Sequence, residues 1–437
     1  MLQTTRTEIL PHVFLTHVPM ETSKSARLTV QFLTQLDPET AALNALLPRV
    51  LLRGTVKHST MRALSYAKEE MYGAKILPQV RKFGEIHAVG LYANFIDDRY
   101  LPGDTRVLQE MIGQLGEILL NPALEDEVFN SEFVASERQN LVDEIHGKIN
   151  NKDRYAITRL IEQMCADEPF STYKLGDAQR AANIEADGLT DHYRTLLASA
   201  PMEIFYSGTA PSDVVETLLK SALFTLQRTS PNLTLGTGVR EHPIEGKPRK
   251  FTETQDVAQG KLSLGFRIGE YMANPNYVAL ELFHYLYGGS VNSRLFLHVR
   301  EKLSLCYYAS SILEPHKGLL LVASGIDVEK HDAAKGEILA QLDALCRGDF
   351  TDEELDFAKR AMMTDIRALA DEPDSFEHFS LSVTLLGEDP DLLAYIRATE
   401  AISRETIQKI AQSLVLDAQY FLTGEKAQEK ANVEVTV

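Results

Sequence analysis

The sequence repeats itself, and this limits its possible folds more than any single motif does. The stretch Leu286–Tyr308, LYGGSVNSRLFLHVREKLSLCYY, has a weaker counterpart at Leu51–Ala74, LLRGTVKHSTMRALSYAKEEMYGA. Both follow an apolar helical pattern and turn at glycine and a hydroxyl residue (Gly54–Thr55, Gly289–Ser290). Both then run through a short helix toward tyrosine and alanine. Further matches keep the same order: NFID (94–97) against GIDV (325–328), DEVF (126–129) against DEEL (352–355), IFYSGT (204–209) against YFLTGE (420–425). The offset falls from 235 residues (Gly54 to Gly289) to 216 (Ile204 to Tyr420), as a duplicated unit with insertions requires.

Periodicity places the elements. Strands are expected at 12–18 and 27–34, helices at 41–52 and 59–71, and strands at 75–81 and 87–95. Helices at 103–120, 126–149, 157–165 and 189–197 precede a strand at 203–207. The order then recurs: strand 261–267, helices 276–287 and 292–302, strands 305–311 and 319–326, helices 329–346, 352–369 and 404–414, strand 419–423. Pro48 falls inside the first helix, where a missing N–H should kink or end it. Residues 226–250 have no apolar period, three prolines and three glycines, and read as a linker. The expected architecture is α+β: two homologous domains, 1–225 and 251–437, each a mostly antiparallel sheet with helices on one face.

The chain has 437 residues, more than one ordinary core accommodates. No apolar run approaches the roughly 18 residues that cross a bilayer, and the N-terminus shows no signal-peptide pattern. Three widely spaced cysteines (Cys165, Cys306, Cys346) make neither a disulfide framework nor a zinc clamp, which points to the cytoplasm. A formal charge of −18 argues against nucleic acid and anionic membrane as partners.

A catalytic zinc helix needs histidines at i, i+4, and none of the twelve histidines has another at i+3 or i+4. Nor is there a nucleophile elbow or a phosphate-binding glycine loop. Ser293-Arg294-Leu295-Phe296, Arg300-Glu301-Lys302 and Tyr307, with the element order and the duplication, resemble the pitrilysin/insulinase (inverzincin) family of zinc metallopeptidases and its mitochondrial processing peptidase branch. The resemblance spans residues 10–425 and implies that the two domains form half of a clam-shell chamber. Active members carry H-x-x-E-H before the first glycine turn; here Ala45, Pro48 and Arg49 stand at its histidine and glutamate positions. On a helical wheel these residues and Leu52 lie opposite the Leu43/Leu46/Leu47/Val50 stripe, on the face that would meet a catalytic cleft. Alanine and proline cannot bind zinc and arginine keeps its proton, so this chain is expected to bind no cofactor.

The resemblance also matches Glu137 and Glu144 to the family's remaining zinc carboxylate and its helper. Glu137 falls on an inward stripe with Val134, Leu141 and Ile145. Two readings stay open: Arg49 neutralises Glu137 in place of the metal, or Glu137 sits at a solvated helix edge. In the second half, Arg300 and Tyr307 match the arginine and tyrosine that hold substrate and stabilise the oxyanion. Tyr308 should pack on the other face. The resemblance therefore implies a zinc-less subunit of a heterodimeric peptidase, lending Arg300 and Tyr307 in trans to a homologous zinc-bearing subunit that binds peptide by strand addition. In this chain the corresponding edge (74–79) contains Pro78 and should bind peptide poorly. The alternative is a scaffold protein, similar to the core subunits of the respiratory cytochrome complex.

Overall fold

The computed structural model describes residues 4–229 and 235–424. In chain order the elements begin with β1 (Thr5–Leu10), β2 (Val13–Pro19), β3 (Ser25–Gln35), α1 (Ala41–Leu51), α2 (Met61–Glu70), β4 (Lys75–Phe83), β5 (Ile86–Ile96) and α3 (Val107–Leu120). A small hairpin, β6 (Leu124–Glu125) and β7 (Val128–Phe129), leads to α4 (Ser131–Gly147), α5 (Lys152–Met164), α6 (Ala178–Ala182), α7 (Ala186–Ser199), β8 (Met202–Gly208) and α8 (Ser212–Ala222). The second half has β9 (Arg249–Gln255), β10 (Gly260–Arg267), α9 (Tyr277–His284), β11 (Cys306–Glu314), β12 (Leu319–Ile326), α10 (His331–Arg347) and α11 (Asp352–Ala368). It closes with α12 (Pro373–Leu385), α13 (Leu392–Ala401), α14 (Arg404–Ser413) and β13 (Val415–Gly424).

The fold is α+β, and its two sheets are topologically the same object. One runs β1-β2-β8-β3-β5-β4; the other runs β11-β12-β10-β13-β9. Reversing the second aligns β9, β13, β10, β12 and β11 with β2, β8, β3, β5 and β4, leaving β1 as the extra strand. In each sheet one pair is parallel, β2 with β8 and β13 with β9, at equivalent places. All other named pairs of the two sheets are antiparallel. The sequence repeat is therefore a repeat of structure.

Packing divides the chain into two compact units. The first takes the chain through His146, Thr172–Gly236 and Ala368–Leu392; the second takes Gly147–Ser171, Thr237–Arg367 and the chain from Leu393. The linear division 1–225/251–437 differs from these units in two segments. Residues 147–171 belong with the second sheet and 368–392 with the first. Within the expected linker 226–250, residues 230–234 lie outside the described residues, and Arg249 and Lys250 already pair in β9.

In the first unit, β3 is buried on both sides. Ala26, Leu28, Val30 and Phe32 enter a core with residues of α1, α3 and α7. Arg27, Thr29 and Gln31 alternate with them and are also buried, because α12 crosses that face. Glu377 of α12 accepts two bonds from Arg81 at 2.7 Å each and one from Thr29 at 3.3 Å, and Asp374 pairs with Arg27. In the second unit, α5 plays this part: Tyr155, Ala156, Leu160 and Met164 join Leu319, Leu321, Ala418, Tyr420 and Leu422 in one core. A Cβ on Gly265 of β10 would overlap the Met164 sulfur, so that side chain would have to shift. Just past α5, Glu168 ion-pairs with Arg267 and Lys317 at 2.7 Å each, and Arg267 also pairs with Asp417 at 2.6 Å.

Several local expectations change. α1 continues past Pro48 to Leu51, because burial on nearly every side holds its last turn. The helix expected at 126–149 begins at Ser131, where Asn130 accepts from the Phe133 amide at 2.9 Å. Asp126 and Glu127 instead form the β6–β7 turn with φ of 48° and 65°. The expected helix 292–302 is wound more widely, as a π-helical segment over Leu295–Lys302.

Candidate functional site

Nine of the eleven residues of α1 are buried. The helix packs against β4, β5, α6 and α7, which leaves only Leu43 and Arg49 partly exposed. Ala45 lies within the apolar core, and Pro48 is buried beside it. Asn44, one residue earlier, is fully buried in a polar chain. Its amide donates to Thr34 Oγ1 at 3.1 Å and lies 3.1 Å from His87 Nδ1, while its carbonyl lies 2.7 Å from His192 Nε2. Burial lowers both imidazoles to about 4, so they stay neutral.

The pairing of Arg49 with Glu137 is corrected. Arg49 donates to Glu144 at 2.5 Å, and Glu137 is taken by Arg53 at 2.9 Å. Arg53 lies in the turn just past α1, its guanidinium 5.0 Å from the Phe133 ring centroid. The other Glu137 oxygen accepts from Asn140 at 3.2 Å. The assignment follows from direction. The chain rises from Arg49 in α1 to Arg53 in the turn beyond it while their partners descend α4, from Glu144 to Glu137. Glu137 is the enclosed carboxylate, its side chain 13% exposed, while the Glu144 side chain is 54% exposed. Two guanidinium groups thus sit on both carboxylates, and a zinc ion does not fit this residue set. Among the described residues no group of three or more His, Cys, Asp or Glu could hold a metal ion.

The second half keeps its polar groups accessible. Gly288 comes so close to β11 that a Cβ there would lie 2.6 Å from Ser311 N. The π-helical segment then carries Arg300, which lies over the Phe296 ring at 4.7 Å and 3.5 Å from Glu301; its side chain is 42% exposed. Arg294, by contrast, is buried against Gln341 and Glu354 and anchors the segment. β11 opens with a bulge: Cys306 pairs with Ile326 and Tyr308 with Gly325, leaving Tyr307 as the extra residue. Bulges re-aim a side chain, and Tyr307 is 53% exposed. Its hydroxyl donates to Asp327 at 2.9 Å, which raises its pKa above the ordinary phenol value. Tyr308 lies over Gly325 and donates to Asp153 at 2.7 Å, so it packs and also bonds.

Residues 183–362 match the family model described as the peptidase M16 inactive domain. A Bacillus subtilis protein named as a probable inactive metalloprotease, YmfF, is 31% identical over 408 residues, spanning 93% of this chain and 95% of that protein. The chain belongs to the peptidase M16 family. It is similar to a probable inactive member, and Ala45, Pro48 and Arg49 stand at the positions where the resemblance expects metal ligands. A conserved Enterococcus faecalis protein of known structure superposes with a TM-score of 0.84 at 28% identity, over 97% of this chain and 99% of that one. An uncharacterized zinc protease of Rickettsia bellii is 26% identical over 216 residues, 48% of this chain and 50% of that protein.

Within this M16 frame, sequence reasoning missed Arg53, Asn44, Asp327 and Lys330. Arg53 had a signal, lying one turn beyond Arg49. Asp327 appeared only as an echo of Asp97, yet the two differ: Asp97 accepts from the Thr209 amide and hydroxyl, whereas Asp327 reaches a tyrosine. Among the described residues no helix is long and apolar enough to cross a membrane.

Proposed function

We propose that this chain is the zinc-less subunit of a heterodimeric M16 peptidase, giving Arg300 and Tyr307 to an active site whose zinc and general base belong to a homologous subunit. The observation that carries this reading is the contrast between the halves. The first half carries Ala45, Pro48 and Arg49 where the resemblance expects ligands and pairs Glu144 with Arg49 and Glu137 with Arg53, while the second half leaves Arg300 and Tyr307 accessible, the latter turned outward by a bulge. A cation and a phenol proton serve the same chemistry, stabilising the negative charge that develops on a carbonyl oxygen under attack. Preorganised donors of this kind are worth about 3 kcal/mol each. Zinc-type relatives exist in the family, which supports a partner of that kind.

Peptide would bind on the partner. Here β4 is the edge strand, and Pro78 sits in it opposite Leu91. With its ring nitrogen lacking a hydrogen, the edge offers an added strand an interrupted row of donors.

The test mixes this protein with a zinc-type M16 homologue from the same organism and follows cleavage of a fluorogenic peptide. The mixture should cleave where neither protein does alone. Arg300→Ala and Tyr307→Phe should each lower the rate about a hundredfold without weakening association. Unchanged rates in both variants would leave the scaffold reading.

A further inference from the structure

The Tyr307 hydroxyl has one proton, and in this structure that proton is already committed. It goes to Asp327 Oδ1 at 2.9 Å, while Asp327 Oδ2 lies 3.0 Å from Lys330 Nζ. Lys330 also donates to the Ser304 carbonyl at 3.2 Å. Ser304 belongs to the turn between Arg300 and Tyr307, and its φ is 48°, a left-handed conformation that serine rarely adopts. That turn is further tied by Ser304 N to Arg300 O at 3.0 Å and Leu305 N to Val299 O at 3.0 Å. One lysine therefore holds both the strained turn and the carboxylate that accepts from the tyrosine. Strain of this kind persists only where surrounding contacts over-determine it.

We propose that Asp327 and Lys330 form a latch that parks the Tyr307 phenol, so that Tyr307 reaches a substrate oxygen only by giving up Asp327. The proposal rests on the subunit reading above and adds two positioning residues to it. A hydroxyl donating to a carboxylate cannot donate the same proton to an oxyanion. The Asp327 bond, and the charge behind it, hold the phenol above its ordinary range. Lys330 and the Tyr307 hydrogen bond keep Asp327 ionised and accepting. Exchange of Asp327 for substrate conserves every proton: the phenol keeps its hydrogen, and only its acceptor changes.

Two measurements test the latch. In the isolated protein, the Tyr307 phenol is titrated by carbon NMR of ring-labelled tyrosine, with Tyr307→Phe assigning the signal; Asp327 and Lys330 are the charges facing it. Asp327→Ala should bring the titration down toward the ordinary tyrosine range. In the mixed complex cleaving the fluorogenic peptide, Asp327→Ala should raise kcat about three- to tenfold with KM little changed, because one charge-assisted bond no longer competes. Tyr307→Phe should abolish that gain. The latch is overturned if wild-type Tyr307 titrates normally, or if Asp327→Ala lowers kcat, which would make Asp327 an orienting rather than a parking group. If Tyr307→Phe leaves wild-type cleavage unchanged, the subunit reading falls and the latch's purpose with it. The NMR result distinguishes that failure from loss of the contact itself.

Discussion

Removing Arg53 should destabilise the first unit far more than removing Arg49, although both arginines pair with a glutamate of α4. The Arg53 and Glu137 side chains are 21% and 13% exposed; those of Arg49 and Glu144 are 17% and 54% exposed. Deleting one member of a buried pair costs roughly 3–5 kcal/mol because the other charge is stranded. For exposed pairs the cost is about 0–1 kcal/mol. Arg53→Ala leaves Glu137 with one 3.2 Å bond from Asn140 in a site about one-seventh exposed, so about 2–3 kcal/mol is expected. Loss of the guanidinium over Phe133 adds less than about 1 kcal/mol. Arg49→Ala leaves a carboxylate that water already reaches, at a cost below about 1 kcal/mol. Urea unfolding reports both through the midpoint at constant slope. Glu137→Gln in the Arg53→Ala background should recover most of the loss, since the stranded charge is gone. If Arg53→Ala costs no more than Arg49→Ala, or Glu137→Gln recovers nothing, the idea that a guanidinium replaces the metal's charge is refuted.

Two further outcomes follow from the buried charges. Burial holds His87, His192 and His284 at about 4, below the 6.5 of an unfolded imidazole. Between those values the unfolded chain binds protons that the folded chain refuses. Stability is therefore full above about pH 6.5 and falls as the pH drops toward 4, by as much as about 3 kcal/mol for the fully buried His87 alone. A urea midpoint that does not move between about pH 7 and about pH 4.5 would contradict this. Separately, Glu168→Ala removes the acceptor shared by Arg267 and Lys317, whose side chains are 0% and 1% exposed. It should cost roughly 3–5 kcal/mol, and hydrogen exchange should show α5 losing protection first, because Glu168 ties the turn after α5 to β10.

The legible parts of the sequence were those where one periodicity meets one environment. β3 and β12 read as strands because their apolar residues are dense and short-ranged, and α1 read as a helix from its leucine stripe. α12 was not legible, because the face it buries is polar. Glu377 and Ser380 are buried beside Phe376 and Leu381, so no apolar stripe survives to be counted. The helical wheel placed Glu137 on an inward stripe, but neither of the two readings left open for it named its partner, Arg53. A wheel gives the angle of a residue around its own helix and says nothing of how far two helices slide along each other. Tyr307 was found through a motif, but its bulge, and the Asp327 and Lys330 beneath it, arise from pairing between β11 and β12.

The residue types along this chain were enough to determine a duplicated α+β unit and the absence of a histidine pair in the first copy, while Arg300 and Tyr307 were singled out only through the family resemblance. The first two are properties of composition and spacing, which folding does not alter. Which sheet α5 and α12 cover, which guanidinium meets which carboxylate, and where the Tyr307 proton goes were decided only in three dimensions. Each depends on side chains a few ångströms apart in space and tens to hundreds of residues apart in sequence, a separation that local pattern does not encode.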